Sequence, residues 1–112
     1  MTQLPDSREL LQLDRLIHEP ARLLILSILA GAESAEFGFV EHLSGLSKGN
    51  LSSHLSKLEA AGLVAIDKSF RGKRPLTTLQ LTPMGRTALA EYRQVLRRQL
   101  RRRQRRQGPA LY

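Results

Sequence analysis

Apolar residues recur along this chain at two periods, and the change from one to the other separates helices from strands. Leu10, Leu13, Leu16 and Ile17 form a helical stripe widened by Leu11, and Asp6 or Ser7 can cap its first turn. Pro20 disfavours helical backbone at Glu19, so this helix should stop near His18. Pro20 itself suits the first position of a second helix, Pro20 to Ala30, closed by Gly31. Leu23, Leu24, Ile25, Leu26, Ile28 and Leu29 make that helix apolar on nearly every side, which predicts the central buried element. Residues 33–38 predict a turn and a very short strand; Phe39, Val40 and Leu43 predict a short third helix ending near Ser44.

Gly45 then turns the chain, Leu46 can plug the core, and Ser47 can cap a fourth helix. Within SKGNLSSHLSKLEAAG, Leu51, Leu55 and Leu58 fall at i, i+4 and i+7, while Lys48, Asn50, Ser52, Ser53, Ser56 and Lys57 point elsewhere. A solvated helix without a task carries long charged residues outside. This one carries small hydrogen-bonding groups and lysines, a surface able to approach a polar polymer. Gly62 ends the helix, in the left-handed conformation that glycine adopts without steric cost.

From Leu63 the period becomes two, with Val64, Ile66 and Phe70 on one side and Asp67 and Ser69 on the other. Arg71 to Pro75 reads as a loop and Leu76 to Leu81 as a second strand, together a hairpin with a basic tip. Thr82-Pro83 caps and begins a last helix whose stripe is Ala88, Leu89, Tyr92, Val95, Leu96 and Leu100. The predicted class is mainly α with a small β-hairpin (α+β), and a short helix, glycine turn and longer helix make a helix-turn-helix.

Charge sharpens this picture. The net charge of +8 is unevenly placed: residues 1–47 hold three arginines against seven acids, and residues 48–74 hold six bases against Glu59 and Asp67. After Glu91 come eight arginines and no acid. Such a balance suits a polyanion, either nucleic acid or an anionic membrane surface. The arginine pairs 97/101, 98/102, 101/105 and 102/106 are like charges at i, i+4, each unfavourable by roughly 0.2–0.5 kcal/mol. They about balance the ~0.3–1 kcal/mol that cations gain at a helix carboxyl end. Residues 1–100 are therefore expected to form one domain with flanking helices, and 101–112 a basic, disordered tail.

The 112 residues include no cysteine, which removes disulfides and thiolate metal sites. His18, His42 and His54 are too far apart for a local ligand set, so no metal or cofactor is expected. His54 lies between the two faces of its helix and is read either as a DNA contact or as an edge of the core. No serine or threonine has a recognisable histidine and acid beside it, and there is no phosphate-binding glycine loop, so an enzyme is not expected. The longest apolar run, Leu23 to Ala30, is broken by Ser27 and too short to span a bilayer. A soluble, cytoplasmic protein without membrane insertion is expected.

The stretches LDRLIHEPARLLILSIL, FVEHLSGLSKGNLSSHLSKLEAAGLV and FRGKRPLTTLQLTPMGR resemble the winged helix-turn-helix regulators of the MarR and ArsR type, most nearly their compact single-domain relatives. The resemblance covers Leu13 to Arg86, and the long arginine-rich end departs from it. It implies a homodimeric transcriptional regulator of double-stranded DNA, a repressor acting by promoter occlusion. Carried over by position, it places Lys48, Asn50, Ser52, Ser53, Ser56 and Lys57 on a recognition helix and Arg71, Lys73 and Arg74 in the wing. Asn50 and Ser53 are expected to read bases, Lys48 and Lys57 to touch phosphate. The stripe Leu10, Leu13 and Ile17 is expected to pack on Leu89, Tyr92 and Leu96 across a twofold axis. A small-molecule effector, which no residue pattern identifies, would sit between dimer helices and winged core. Two other readings stay open: a winged-helix protein-docking module, and a non-specific nucleic-acid or membrane-surface binder using the arginine tail.

Overall fold

In the computed structural model residues 15–107 are described, 106 and 107 by their backbone alone. Residues 15–18 are the described end of helix α1. There follow α2 (Pro20–Ala30), β1 (Ala35–Glu36), α3 (Phe37–Ser44), α4 (Lys48–Ala60), β2 (Val64–Arg71), β3 (Arg74–Leu81) and α5 (Pro83–Gln107). The proposed caps Asp6 and Ser7, and the stripe residues Leu10 and Leu13, lie outside the described residues.

Each helix boundary has a local cause. Glu19 is extended before Pro20, and its carboxylate accepts the Arg22 backbone N–H at 3.0 Å, satisfying an orphan donor of α2. Gly45, at φ 72°, closes α3, and its N–H donates to the Glu41 carbonyl. Ser47 Oγ accepts the Asn50 N–H at 3.2 Å to open α4. At the other end Gly62 adopts φ 79°, its N–H donates to Glu59, and the Leu63 N–H reaches back to the Leu58 carbonyl. That is a Schellman cap, completed by burial of both Leu58 and Leu63.

The strands form one antiparallel sheet in the order β1-β3-β2. Ala35 pairs with Leu79, and β2 and β3 pair continuously from Val64↔Leu81 to Arg71↔Arg74. The five-residue loop expected at 71–75 is therefore a two-residue turn, Gly72-Lys73. Gly72 has φ 64°, and among the described residues no non-glycine residue has positive φ, the pattern of a type II′ hairpin that matches strand twist.

The core lies between α2, α4 and the base of the sheet: Ile25, Leu26 and Leu29 meet Leu51, Leu55 and Leu58, with Val40, Leu63, Val64, Leu79 and Leu81 closing it. Burying each such leucine or isoleucine contributes roughly 1.5–3 kcal/mol. Four apolar residues depart from their expected places. Leu24, Phe39 and Leu43 are exposed, because α2 and α3 each turn one side outward in so thin a body. Phe70 is 72% exposed, because the outer half of the hairpin projects past the helices and has no layer to cover it.

Helix α5 starts at a close backbone approach. Thr82 Oγ1 accepts the Gly85 N–H at 2.9 Å and donates to the Gly62 carbonyl at 2.6 Å, while the Thr82 N–H donates to Leu63. A Cβ built on Gly85 would lie 2.1 Å from the Leu63 carbonyl oxygen. The helix then runs antiparallel to α2, with Arg86 bonded to the Ala32 carbonyl, Arg93 to Ser27 and Tyr92 to His18. It continues to Gln107, seven residues past the Leu100 at which fraying was expected. Arginine and glutamine are good helix formers, and water around exposed guanidinium groups softens their repulsion.

No helix among the described residues is long and apolar enough to cross a membrane. Gly85→Ala should destabilise the fold by about 2–3 kcal/mol or more, the upper range of overpacking, and lower Tm by ~10 °C. Gly49→Ala, where a Cβ meets nothing within 4 Å, should leave Tm unchanged or slightly raised; thermal melts of the two variants check the contrast.

Candidate nucleic-acid interface

Burial of Leu51, Leu55 and Leu58 aims the rest of α4 at solvent, and Lys48, Asn50, Ser52, Ser53, Ser56 and Lys57 are all exposed. Helical spacing divides them into two rows. Lys48, Ser52 and Ser56, at i, i+4 and i+8, run along the side that faces the sheet; Asn50, Ser53 and Lys57 run along the other. One row edges a cleft and the other stands free of it.

The cleft, about 350 Å³, lies between α4 and the hairpin. Lys48, Ser52 and Ser56 form one wall and Ile66, Lys68, Thr77 and Leu79 the other, with Leu55 and Phe37 at the base. Strand register makes the second wall, since Ile66 pairs with Leu79 and Lys68 with Thr77. Among the described residues no carboxylate lines it. Two ammonium groups and three hydroxyls around an acid-free cleft make a donor-rich seat for a phosphate, which can be held by charge-assisted hydrogen bonds. Sequence reasoning passed over Lys68 and Thr77. The signal was parity: Lys68 shares the strand side of Val64 and Ile66, the wrong side for a lysine whose only task is solubility.

Arg71, Lys73 and Arg74 are exposed at the hairpin tip, where the turn brings them together. Arg71 is not free, however, because its Nη2 donates to Glu36 Oε1 at 2.5 Å. Both side chains are open to water, so the pair contributes at most about 1 kcal/mol and a phosphate can compete for the guanidinium. The contact ties the tip of β2 to the start of α3.

His54 takes the core-edge position of its two readings. Its Nδ1 accepts from Arg22 Nε at 3.3 Å and lies 3.8 Å from Glu19 Oε2, while Arg22 Nη1 donates to the Leu16 carbonyl. This network joins the rear of α4 to the α1–α2 junction.

The residues assigned to a twofold contact separate on burial. Ile17 is 1% and Leu89 2% exposed, both inside the protomer's own core, so neither needs a second copy to cover it; their assignment to an intersubunit contact is corrected on that ground. Tyr92 is half-buried with its hydroxyl 2.6 Å from His18 Nδ1. Val95, Leu96 and Leu100 remain exposed. Tyr92, Val95 and Leu96 also line a mostly apolar cleft of about 460 Å³ with Arg15, His18, Glu19, Pro20 and Gln99. Among the described residues no group of three histidines or acids is placed to hold a metal.

A family model described as a winged helix DNA-binding domain matches residues 21–100. An uncharacterised protein of Methanocaldococcus jannaschii is 36% identical over 78 residues, 70% of this chain and 85% of that protein. Among solved structures, a transcriptional regulator homologue from Pyrococcus horikoshii OT3 superposes with TM-score 0.74 at 28% identity, covering 84% of this chain and 95% of that one. A regulator of the MarR family from Enterococcus faecalis V583 superposes with TM-score 0.77 at 18% identity, covering 94% and 96%.

Glu36→Gln should release Arg71 and remove a negative charge beside the tip. Duplex affinity at low salt is expected to rise about two- to fivefold, equivalent to ~0.4–1 kcal/mol, with Tm little changed. Fluorescence anisotropy reads the effect, and unchanged or weaker binding would show that Arg71 does not face phosphate.

Proposed function

The chain belongs to the winged helix DNA-binding domain family and has the fold of MarR-type transcriptional regulators, and on that premise we propose that it binds a specific duplex site as a homodimeric repressor. The observation that carries the proposal is the cleft between α4 and the hairpin, lined by two lysines and three hydroxyls and by no acid among the described residues, and flanked by the free row Asn50, Ser53 and Lys57. With α4 in the major groove, the free row meets base edges. The DNA strand bordering that groove runs in the cleft, held by Lys48, Lys68 and the hydroxyls, and Arg71, Lys73 and Arg74 reach the neighbouring minor groove or its backbone.

Asn50 is the principal reader, since its amide can bond adenine N6 and N7 together, worth about 1–3 kcal/mol of discrimination. Lysines at the cleft fix register without reading sequence. Two copies paired through Tyr92, Val95, Leu96 and Leu100 would present two recognition helices about 34–36 Å apart to a palindromic site and block a promoter. The 460 Å³ cleft shares Tyr92, Val95 and Leu96 with that seam, so a small-molecule effector held there would act on the pairing itself.

Fragments selected by the full chain from genomic DNA provide the test. Asn50→Ala should weaken binding to the selected duplex about 5- to 150-fold, following the 1–3 kcal/mol above, and leave a scrambled duplex nearly unaffected. Equal losses on both would remove Asn50 as the reader. For the dimer, Leu96→Glu with Leu100→Glu should convert a dimer to a monomer in sedimentation at micromolar concentration. A wild-type monomer there would refute the twofold arrangement.

A further inference from the structure

Beyond the protomer core, α5 has two unlike sides, and the proposed dimer uses only one. Tyr92, Leu96 and Leu100 recur at i, i+4 and i+8 on the apolar side. Turned about 100° from that row, Arg97, Arg101 and Arg105 recur at the same interval, about 6 Å apart along the axis, and Arg98 and Arg102 continue onto the far side, while Arg103 follows Leu96 and Leu100 on their own side and ends the apolar row. All of these arginines are exposed. No acid follows Glu91 in the sequence, and among the described residues no carboxylate pairs with any of these guanidinium groups. Gln94, Arg97, Arg98 and Arg101 edge a shallow cleft of about 240 Å³ whose lining residues are all polar.

This stripe works against the helix that carries it, because each i, i+4 pair of like charges opposes helix formation. A helix that keeps such pairs without a single intervening acid is suited to a polyanion that relieves the repulsion. We propose that the arginine side of α5 is a second binding surface, for the phosphodiester backbone of duplex DNA, separate from the recognition helix and wing and indifferent to base sequence. The proposal rests on the reading of the chain as a duplex binder.

Three features favour duplex backbone over other polyanions. The charges are arginines, whose planar guanidinium groups bind phosphate oxygens in pairs. No aromatic residue lies on α5 after Tyr92, so the surface has nothing on which single-stranded bases could stack. A membrane-surface helix would sink its apolar side into lipid, but here that side begins with buried Leu89 and with Tyr92 bonded to His18. The last helix is anchored to its own protein on that side as far as Tyr92, which leaves Val95, Leu96 and Leu100 as its exposed apolar residues, interrupted by Arg103.

The full-length chain is titrated against its selected duplex and a scrambled duplex from about 50 to 200 mM salt. It is compared with a variant carrying Arg97→Gln, Arg98→Gln, Arg101→Gln and Arg102→Gln, residues with helix propensity close to the originals. The variant should bind both duplexes more weakly by the same factor, tenfold or more at the low-salt end. Its plot of log K against log salt should flatten by roughly 0.9 for every phosphate that is no longer neutralised. The four corresponding Arg→Lys changes keep the charge and should keep most of the slope. An unchanged slope in the glutamine variant, while the wild type binds its selected duplex, overturns this surface and leaves the winged interface standing. A lysine variant as weak as the glutamine one also overturns it. Wild-type chain that binds neither duplex refutes the underlying reading instead. Loss of binding to phosphatidylserine vesicles, with the duplex slope unchanged, would assign the stripe to a membrane surface and reject the DNA proposal.

Discussion

A helix can come as near to a backbone carbonyl as α5 comes to Leu63 only where a side chain is missing, and Gly85 supplies that gap. Around the gap, Thr82 bonds to Gly62 and Leu63 through both its hydroxyl and its N–H. The carboxyl end of α4, the root of β2, the end of β3 and the start of α5 therefore meet at one knot of hydrogen bonds, made by the Thr82 hydroxyl and N–H with main-chain groups. One short side chain and the backbone groups around it set the angles between α4, the hairpin and α5. The Schellman cap at Gly62 belongs to the same knot, so α4 ends where α5 must begin.

On this frame the polar chemistry is sorted by direction. The rear of α4 is tied to the α1–α2 junction through His54, Arg22 and Glu19. Its front holds small hydroxyls, an amide and two lysines, and among the described residues no acid lines the cleft beside them. Near the wing, Glu36, from the acidic first part of the chain, engages Arg71, and Asp67 lies on β2 on the strand side opposite Lys68. Uneven charge along the sequence thus becomes uneven charge in space, which steers a polyanion to one face.

Much of this was legible beforehand because local rules and tertiary packing agree. Pro20, Ser47, Gly62 and Thr82 each satisfy or release backbone groups at a helix end, and each lies where those rules predict. The three leucines of α4 defined its outer face without further help. The misses share a cause, namely that composition was read where geometry decides. Arg71 to Pro75 looks like a loop, yet glycine at the first turn position lets the ladder close after two residues. Phe70 has the right parity for the core but lies beyond the end of the helices that make one. Ile17 and Leu89 looked in need of a partner because nothing in the sequence says how far α5 folds back along α2. Lys68 could have been found by the same parity that misled for Phe70, since it shares the strand side of Val64 and Ile66 and so lines the cleft beside α4.

The hairpin ladder, paired to its last residues at Arg71↔Arg74, has a thermodynamic consequence for association. Fixing the backbone of a mobile residue costs about 1–2 kcal/mol, so a loose five-residue basic loop would lose several kcal/mol of chain entropy on meeting its ligand. Here that loss falls on folding, where β pairing offsets it. A hairpin already shaped in this way would keep more of its electrostatic attraction available as affinity for any polyanion it meets.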